Sequence, residues 1–501
     1  MPRSSRIEHG GVAVPSTSES FRRALIPIWI ASALFLAGPA GAQTSFVEFE
    51  SGAVRPLALS PDGSKLFAVN TPDNRLEVFG VSPSGLTQTD SIPVGMEPVA
   101  VAARSNTEVW VVNHLSDSIS IVDLSLTPAR VTRTLLVGDE PRDIVFAGTG
   151  GNRAFITTAH RGQHRTHSSI SGVTGAGDPQ LTTEGIGRAD VWVFDAASLG
   201  ATLGGTPLRI LSFFGDTPRA LARSADGNTV YVAVFHSGNQ TTVVNETLVC
   251  NGFQVSGGAS CGPGAPGGVA GPSTNCVQTD GDPACEASSA APEAGIIVKW
   301  DGGAFRDTLN RNWSSSIPFT LPDHDVFAVD ANTFAAGSVF DHVGTILFNM
   351  VVNPVSGRLY VTNTELPNHV RFEGPGIHGG STVQGHLSEA RISVLNTGTG
   401  AVDPQHLNQH IDYDDLHTDA GANHAAIDAQ AAHSLATPLQ PIVSSDGNTI
   451  YVAAFGSSRI GVFTRTEIED ANFELNYDPA GPNGSANYIT TGGGPAGLAL
   501  D

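Results

Sequence analysis

The sequence predicts an all-β fold: a β-propeller of four-stranded blades, six of them full and a seventh partial. Three observations carry the prediction. A unit made of a short strand, a turn rich in Pro, Asp and Gly, and a second strand of alternating apolar residues recurs six times. Its first three copies begin at Pro56, Pro98 and Pro141, a spacing of about 42 residues that matches one blade. The second strands, at 66–70, 109–113, 230–235 and 450–455, are rich in Val, Ile, Tyr, Phe and Trp, which suit a pleated surface. With 57 Gly, 31 Pro, only 15% charged residues and no sustained 3.6-residue apolar period, the composition fits short strands and turns rather than amphipathic helices.

In order, the copies read RPLALSPDGSKLFAVN then RLEVF, EPVAVAARSNTEVWVVN then SISIVD, EPRDIVFAGTGGNRAFITTAH then DVWVFD, TPRALARSADGNTVYVAVF then GIIVKW, GTILFNMVVNPVSGRLYVTN then RISVLN, and TPLQPIVSSDGNTIYVAAF then RIGVF. In Pro61-Asp62-Gly63, Ala225-Asp226-Gly227 and Ser445-Asp446-Gly447, an Asp-Gly pair supplies the positive φ that a tight hairpin needs. An isolated blade cannot bury both of its faces. Radial stacking covers each sheet with its neighbours, so residues 43–501 read as one domain. A seventh copy starts as GPAGLALD. Ser45 to Glu50 reads as an outer strand and Gly497 to Asp501 as an inner strand of one blade whose middle strands are absent. That predicts truncation at Asp501 within a longer protein, or else a six-bladed ring closed by the two terminal strands.

Residues 1–42 read as a secretory signal: Arg22 and Arg23, the apolar run Ala24 to Ala37, and the small-residue site Ala40-Gly41-Ala42. Cleavage is expected after Ala42, and the mature protein is expected in the periplasm or outside the cell. The alternative, an uncleaved anchor, fits less well because the run is short for a membrane span and contains Pro27. Cleavage removes four arginines and two glutamates and takes the formal charge from −22 to −24. Such an acidic field opposes nucleic acid and anionic lipid and favours cationic partners or metal ions, besides keeping the chain soluble. Cys250, Cys261, Cys276 and Cys285 share one Gly- and Pro-rich segment, and in an oxidising compartment they are expected to form two disulfides of undetermined pairing. No Cys-x-x-Cys or Cys-x-x-Cys-His occurs, which argues against a zinc site and a covalently attached haem.

In a four-stranded blade the b-to-c and d-to-a loops emerge on one face. The long insertions at 159–189, 236–294 and 364–389 follow second strands, and those at 303–344 and 397–437 lie in or beside d-to-a connections. The sequence therefore places all five on one face, the natural place for function. His114, His160 and His236 follow strand b in three successive copies, at the mouth of the central channel. The metal-ligand candidates are His160, His164, His167 and His236. The partner-contact candidates are His114, Glu365, His369, His378 and His386. Imidazoles converging with Glu140, Glu184 or Glu365 suit a transition metal, or a haem edge supplied by another domain. The bland alternative is solvated loop histidines, since AHRGQHRTH lacks the helical i, i+4 geometry of a zinc motif. Asp280-Gly281-Asp282 and Asp412-Tyr413-Asp414-Asp415 offer oxygens for calcium without completing a calcium loop. No phosphate-binding glycine loop opening a helix is present.

The strings LYVTN, VYVAVF and IYVAAF, each followed by a strand such as SISIVD or RIGVF, resemble the YVTN-type repeats of exported, YncE-like bacterial propellers over nearly all of residues 45–501. That resemblance implies the fold and leaves function open, because the superfamily spans surface-layer proteins, lactonases and haem d1 propellers. NTELPNHVRFEGPGIHG, GHLSEARISVLN, HLNQHIDYDD and AAFGSSRIGVF resemble a narrower group in which the propeller precedes a c-type cytochrome segment. The narrower resemblance implies a propeller that docks or supports a haem domain lying outside this chain. Three functions follow as expectations: an exported, non-catalytic binding scaffold for a haem or metal redox partner; a lactonase-like or oxidoreductase enzyme with its site at the channel mouth; and a structural cell-envelope propeller.

Overall fold

Alternation along a strand becomes architecture only when both faces of the sheet are covered, and the strand Glu108–Asn113 shows how. The computed structural model describes residues 52–178, 187–249, 295–318, 320–370, 383, 386–411, 432–470 and 488–500, all within one unit spanning Gly52–Asp501. The signal segment, Ser45 to Glu50, the four cysteines, Glu184, His378 and both acidic strings offered for calcium lie outside the described residues.

The first sheet comprises β1 (Leu57–Leu59), β2 (Lys65–Asn70), β3 (Arg75–Ser82) and β4 (Gly85–Pro93). The second comprises β5 (Pro98–Ala103), β6 (Glu108–Asn113), β7 (Ser118–Asp123) and β8 (Arg130–Leu136); the third, β9 (Pro141–Ala147), β10 (Arg153–Thr158), β11 (Ala189–Asp195) and β12 (Arg209–Phe213). The fourth opens with β13 (Pro218–Arg223) and β14 (Thr229–Val234). The chain then leaves it for a separate three-stranded sheet, β15 (Thr241–Val244), β16 (Ile296–Trp300) and β17 (Phe305–Arg306), and returns as β18 (Val326–Asp330) and β19 (Ala336–Phe340). The fifth holds β20 (Ile346–Val352), β21 (Leu359–Glu365), β22 (Glu389–Leu395) and β23 (Val402–His406); the sixth, β24 (Pro438–Val443), β25 (Thr449–Ala454), β26 (Arg459–Thr464) and β27 (Tyr488–Thr490). All pairings within these sheets are antiparallel between chain neighbours, apart from β14 with β18 across the excursion.

In β6, Val109 and Val111 pack with Phe67, Leu76 and Val78 of the first sheet, whereas Trp110 and Val112 pack with Ile144, Ile156 and Trp192 of the third. The same division recurs in β14, where Val230 and Val232 face the third sheet and Tyr231 and Ala233 face the fifth. Each fully buried aliphatic side chain contributes ~1.5–3 kcal/mol, so every junction between consecutive sheets is a core of its own. The a-to-b turns follow the Asp-Gly chemistry: Gly63, Gly227 and Gly447 have φ of 70°, 71° and 73°. Ser60, Ser224 and Ser444 donate their hydroxyls to Asp62, Asp226 and Asp446 of the same turns.

Three expectations change. GIIVKW is not the third strand of the fourth sheet: it is β16 and pairs with β15, and VFAVD takes the expected position beside β14. Both strings are short apolar runs leading into an aspartate that accepts amide hydrogens from the next turn, Asp301 from Gly303 and Ala304 and Asp330 from Asn332 and Thr333. Local pattern therefore could not choose between them. Residues 303–344 accordingly contain β17, β18 and β19, and residues 397–437 begin with a c-to-d turn and β23. Nor do all long connections share one face, because the 23 residues between Thr464 and Tyr488 join the third and fourth strands of the sixth sheet. Finally, 494–500 form no strand. Leu498 N–H donates instead to the Gln440 side chain (2.9 Å), and Gly497 abuts Pro56.

The segment 52–56 enters the axis of the six sheets. Arg55 donates through Nε and Nη2 to the two carboxylate oxygens of Asp143 in β9 (3.1 Å each) and through Nη2 to the Leu221 carbonyl in β13 (2.8 Å). Arg219 Nη2 donates to the Gly52 carbonyl (2.7 Å), and Val54 N–H to the Val99 carbonyl (3.0 Å). Asp143 is inaccessible to solvent and takes further amide hydrogens from Ile144 and Leu221 (2.8 Å each). Removing Arg55 strands a buried carboxylate, so Arg55→Met is expected to cost ~3–5 kcal/mol in urea unfolding. A loss below about 1 kcal/mol in that measurement contradicts the axial role assigned to the pair.

Candidate functional site

The face bearing the b-to-c and d-to-a loops is built on a repeated corner. Glu97, Glu140, Thr217 and Thr437, each directly before the proline that opens a sheet, have φ of 55°, 54°, 52° and 52°. Their carbonyls accept the N–H of the residue just past strand b of the same sheet: His114, Ala159, Phe235 and Phe455, at 2.8–3.0 Å. Positive φ before proline is strained, and a side chain from the preceding sheet ties it down. Asn74 Oδ1 accepts from Glu97 N (2.6 Å), and Asp117 Oδ1 from Glu140 N (2.9 Å).

This corner brings two of the predicted histidines to one carboxylate. Glu140 Oε2 lies 4.0 Å from His114 Nε2 and 3.9 Å from His160 Nε2, and accepts a hydrogen bond from Arg142 Nη2 at 3.1 Å. His114 is buried and His160 exposed. Gly138 permits the approach, since a Cβ there would stand 2.8 Å from the carbonyls of His160 and Arg161. Asp117 behind the cluster is raised above the ordinary carboxylate range by burial and by the charges of Asp139 and Glu140.

The other metal candidates are dispersed. His236 is exposed, bridges to Ile346 and rests against the Phe235 ring (4.7 Å between centroids). His164 stacks between His167 (5.6 Å) and Trp192 (5.8 Å), and burial lowers its affinity for a proton. Among the described residues no three His, Cys, Asp or Glu side chains converge as a metal-holding group. The 160–178 segment is instead pinned by Arg165, whose Nη1 donates to the buried Asp190 (2.5 Å), and by Arg161, which reaches the carbonyls of Asp178 and Gly187.

A second cluster lies between the fourth and fifth sheets, around a cavity of about 210 Å³ lined by Asn239, Lys299, Asp323, His342, Glu365 and Arg391. Of the partner-contact candidates, Glu365 is at its centre: it accepts from Lys299 Nζ (2.8 Å) and Thr345 Oγ1 (3.2 Å), and Arg391 Nη1 is 3.7 Å away. His369 is half-buried, and burial and Lys299 lower its pKa. His386 stacks on His406 at 5.9 Å, near Glu389.

Asp323, Asp325 and His342 are not among the residues that the sequence singles out. They belong to two strings, Asp323-His324-Asp325 before β18 and Asp341-His342 after β19. Because β18 and β19 are antiparallel, the strings meet crosswise: His342 Nδ1 bonds Asp323 Oδ2 (2.7 Å) and His324 Nδ1 bonds Asp341 Oδ1 (2.9 Å). The paired Asp-His strings flanking a hairpin were the available signal. Asp325 is buried, accepts from the Ser237 hydroxyl and from the amides of Val343 and Gly344, and is pushed up to about 9 by burial and by Asp323. Burial also raises Asp323, against the opposing pull of His342.

No protein-family model and no curated protein matches this sequence. Among solved structures, hydrazine synthase of Kuenenia stuttgartiensis is similar with a TM-score of 0.53 and 15% identity over 91% of each chain. A 6-phosphogluconolactonase-like protein of Bacteroides uniformis has a TM-score of 0.42 and 13% identity over 88% of this chain and 86% of its own. The periplasmic gluconolactonase of Pseudomonas aeruginosa has a TM-score of 0.39 and 13% identity, with 88% and 86% covered. The likeness to the first is one of fold, and with the sheet order above it makes the chain a β-propeller.

The Asp325 shift has a thermodynamic consequence. In the unfolded chain this carboxyl ionises near pH 4, while the folded state holds its proton up to about pH 9. Between those values the folded state binds more protons, so this group's contribution makes stability fall as pH rises. Urea midpoints at pH 5, 7 and 9 are expected to fall more steeply for the wild type than for Asp325→Asn. Parallel profiles contradict the assignment.

Proposed function

We propose that this chain is an exported propeller binding module whose b-to-c and d-to-a face engages a protein partner carrying a haem or metal redox centre. The observation that carries the reading is the convergence of His114, His160 and Arg142 on Glu140 beside an axis occupied by residues 52–56. A face of that kind suits docking better than passage through the channel. Arg142 and the strained corner hold Glu140 in place, and His160 offers an exposed imidazole to a partner's surface. The net charge of −22, or −24 after signal cleavage, steers a cationic partner toward this protein. The resemblance to propellers that precede c-type cytochrome segments supports a haem-bearing one, and the secretory signal read at 1–42 supports export.

Calorimetric titration of the mature protein with a basic c-type cytochrome tests the proposal. Binding is expected at low salt, weaker as ionic strength rises, and reduced about tenfold by combining Glu140→Gln with His160→Ala. Absence of binding, or binding indifferent to the double substitution, sinks it.

A hydrolytic reading is favoured by one specific observation, the Asp323–His342 pair. Asp323 accepts the Nδ1 proton and thereby leaves Nε2 of the exposed His342 as the basic nitrogen, in a cavity shared with Lys299 and Arg391. His342 takes a proton from water as its oxygen bonds to a lactone carbonyl carbon and returns that proton to the ring oxygen as the C–O bond breaks, while the two cations steady the developing oxyanion. Lactone turnover that falls by about 10²–10⁴ in His342→Gln supports this reading. Absence of turnover in the wild type, or a rate unchanged by the substitution, removes it.

A further inference from the structure

On the opposite face, where the a-to-b turns lie, the axis opens into a cavity of about 900 Å³. Its wall comes from the first strands of five sheets, through Ala58, Ala102, Val145, Ala222 and Val351, and Arg55 also lines it. The segment 52–56, anchored to Asp143, Leu221, Val99 and Arg219, occupies the axis there. The space therefore resembles a pocket more than an open channel, and its volume is that of a small-molecule site.

Its charge is uneven. Arg55 uses Nε and Nη2 on Asp143 and Leu221, while Nη1 makes no hydrogen bond among the described residues and the side chain stays 20% exposed. Asp143 is inaccessible and accepts from Arg55, Ile144 and Leu221, so its charge is balanced by Arg55 from within the wall while Nη1 faces outward unpaired. Arg104 and Glu108 neutralise each other through a two-bond pair. Arg223 at the mouth is exposed, donates to the Phe146 carbonyl (3.2 Å) and has no carboxylate partner among the described residues. With Arg55 balanced by Asp143 and Arg104 by Glu108, Arg223 is the cation in excess at a cavity whose wall is part aliphatic and part polar, in a protein of net charge −22.

We propose that this axial cavity is a binding site for a small organic carboxylate, its head group on Arg55 and its apolar body along the inner strands toward Arg223. A carboxylate oxygen can accept from Nη1, the one guanidinium nitrogen that Asp143 and Leu221 leave over. The site is separate from the docking face, and its test does not depend on that reading.

Octanoate, octanol and octylammonium, titrated calorimetrically into the mature protein, separate charge from chain length. Octanoate is expected to bind at one site, about tenfold or more tighter than octanol, with octylammonium excluded. Arg55→Lys keeps a cation for Asp143 but removes the spare nitrogen, and is expected to weaken octanoate about tenfold while leaving octanol unchanged. Arg223→Gln, an exposed substitution that leaves the fold intact, is expected to weaken octanoate severalfold and decides the matter if the Arg55 variant is unstable. Equal affinity for octanoate and octanol, no octanoate binding, or octanoate binding indifferent to Arg223→Gln and to any folded Arg55→Lys overturns the proposal.

Discussion

Every sheet in the middle of the array has two apolar faces, and that constraint organises the molecule. Trp110 and Val112 cannot be buried by the neighbour that buries Val109 and Val111, so the second sheet needs a sheet on each side. Repeating the demand from sheet to sheet lines up the first strands β1, β5, β9, β13 and β20 around one axis. It also sends alternate loops to opposite faces. The three-stranded excursion between β14 and β18 is tolerated because it carries its own small core, with Val244, Val298, Phe305 and Trp313.

The axis is where the sheets meet electrostatically. A buried aspartate in β9 is costly unless paired, and Arg55, from the segment before β1, supplies the pair. The pair joins three elements far apart in sequence, since the same guanidinium reaches the Leu221 carbonyl. With 52–56 in place, one end of the axis has a histidine and carboxylate cluster and the other a cation-lined cavity. The two ends of the axis thus share one scaffold without sharing residues.

Much of this was legible in the sequence. The repeat, the Asp-Gly turns and the alternation in KLFAVN, EVWVVN and TVYVAV all reach the folded protein, because hairpin chemistry and period-2 burial are local properties. His114 and His160 beside Glu140 were reachable by the same logic, since equivalent positions in successive copies end up at equivalent places on one face. The fourth sheet defeats a local reading because GIIVKW and VFAVD are both short apolar runs leading into an Asx turn. Only cross-strand pairing, β14 with β18 and β15 with β16, distinguishes them.

From its sequence alone this protein is a stack of antiparallel sheets whose first two strands are joined by tight turns, for hydrophobic alternation and turn residues encode those features within a few positions. Tertiary structure decided which side chains meet. Arg55 and Asp143 are 88 residues apart, and Asp323 meets His342 only because β18 and β19 run antiparallel between them. Convergence of that kind depends on how far each sheet is rotated and which strand pairs with which, and no local pattern of residues carries that information.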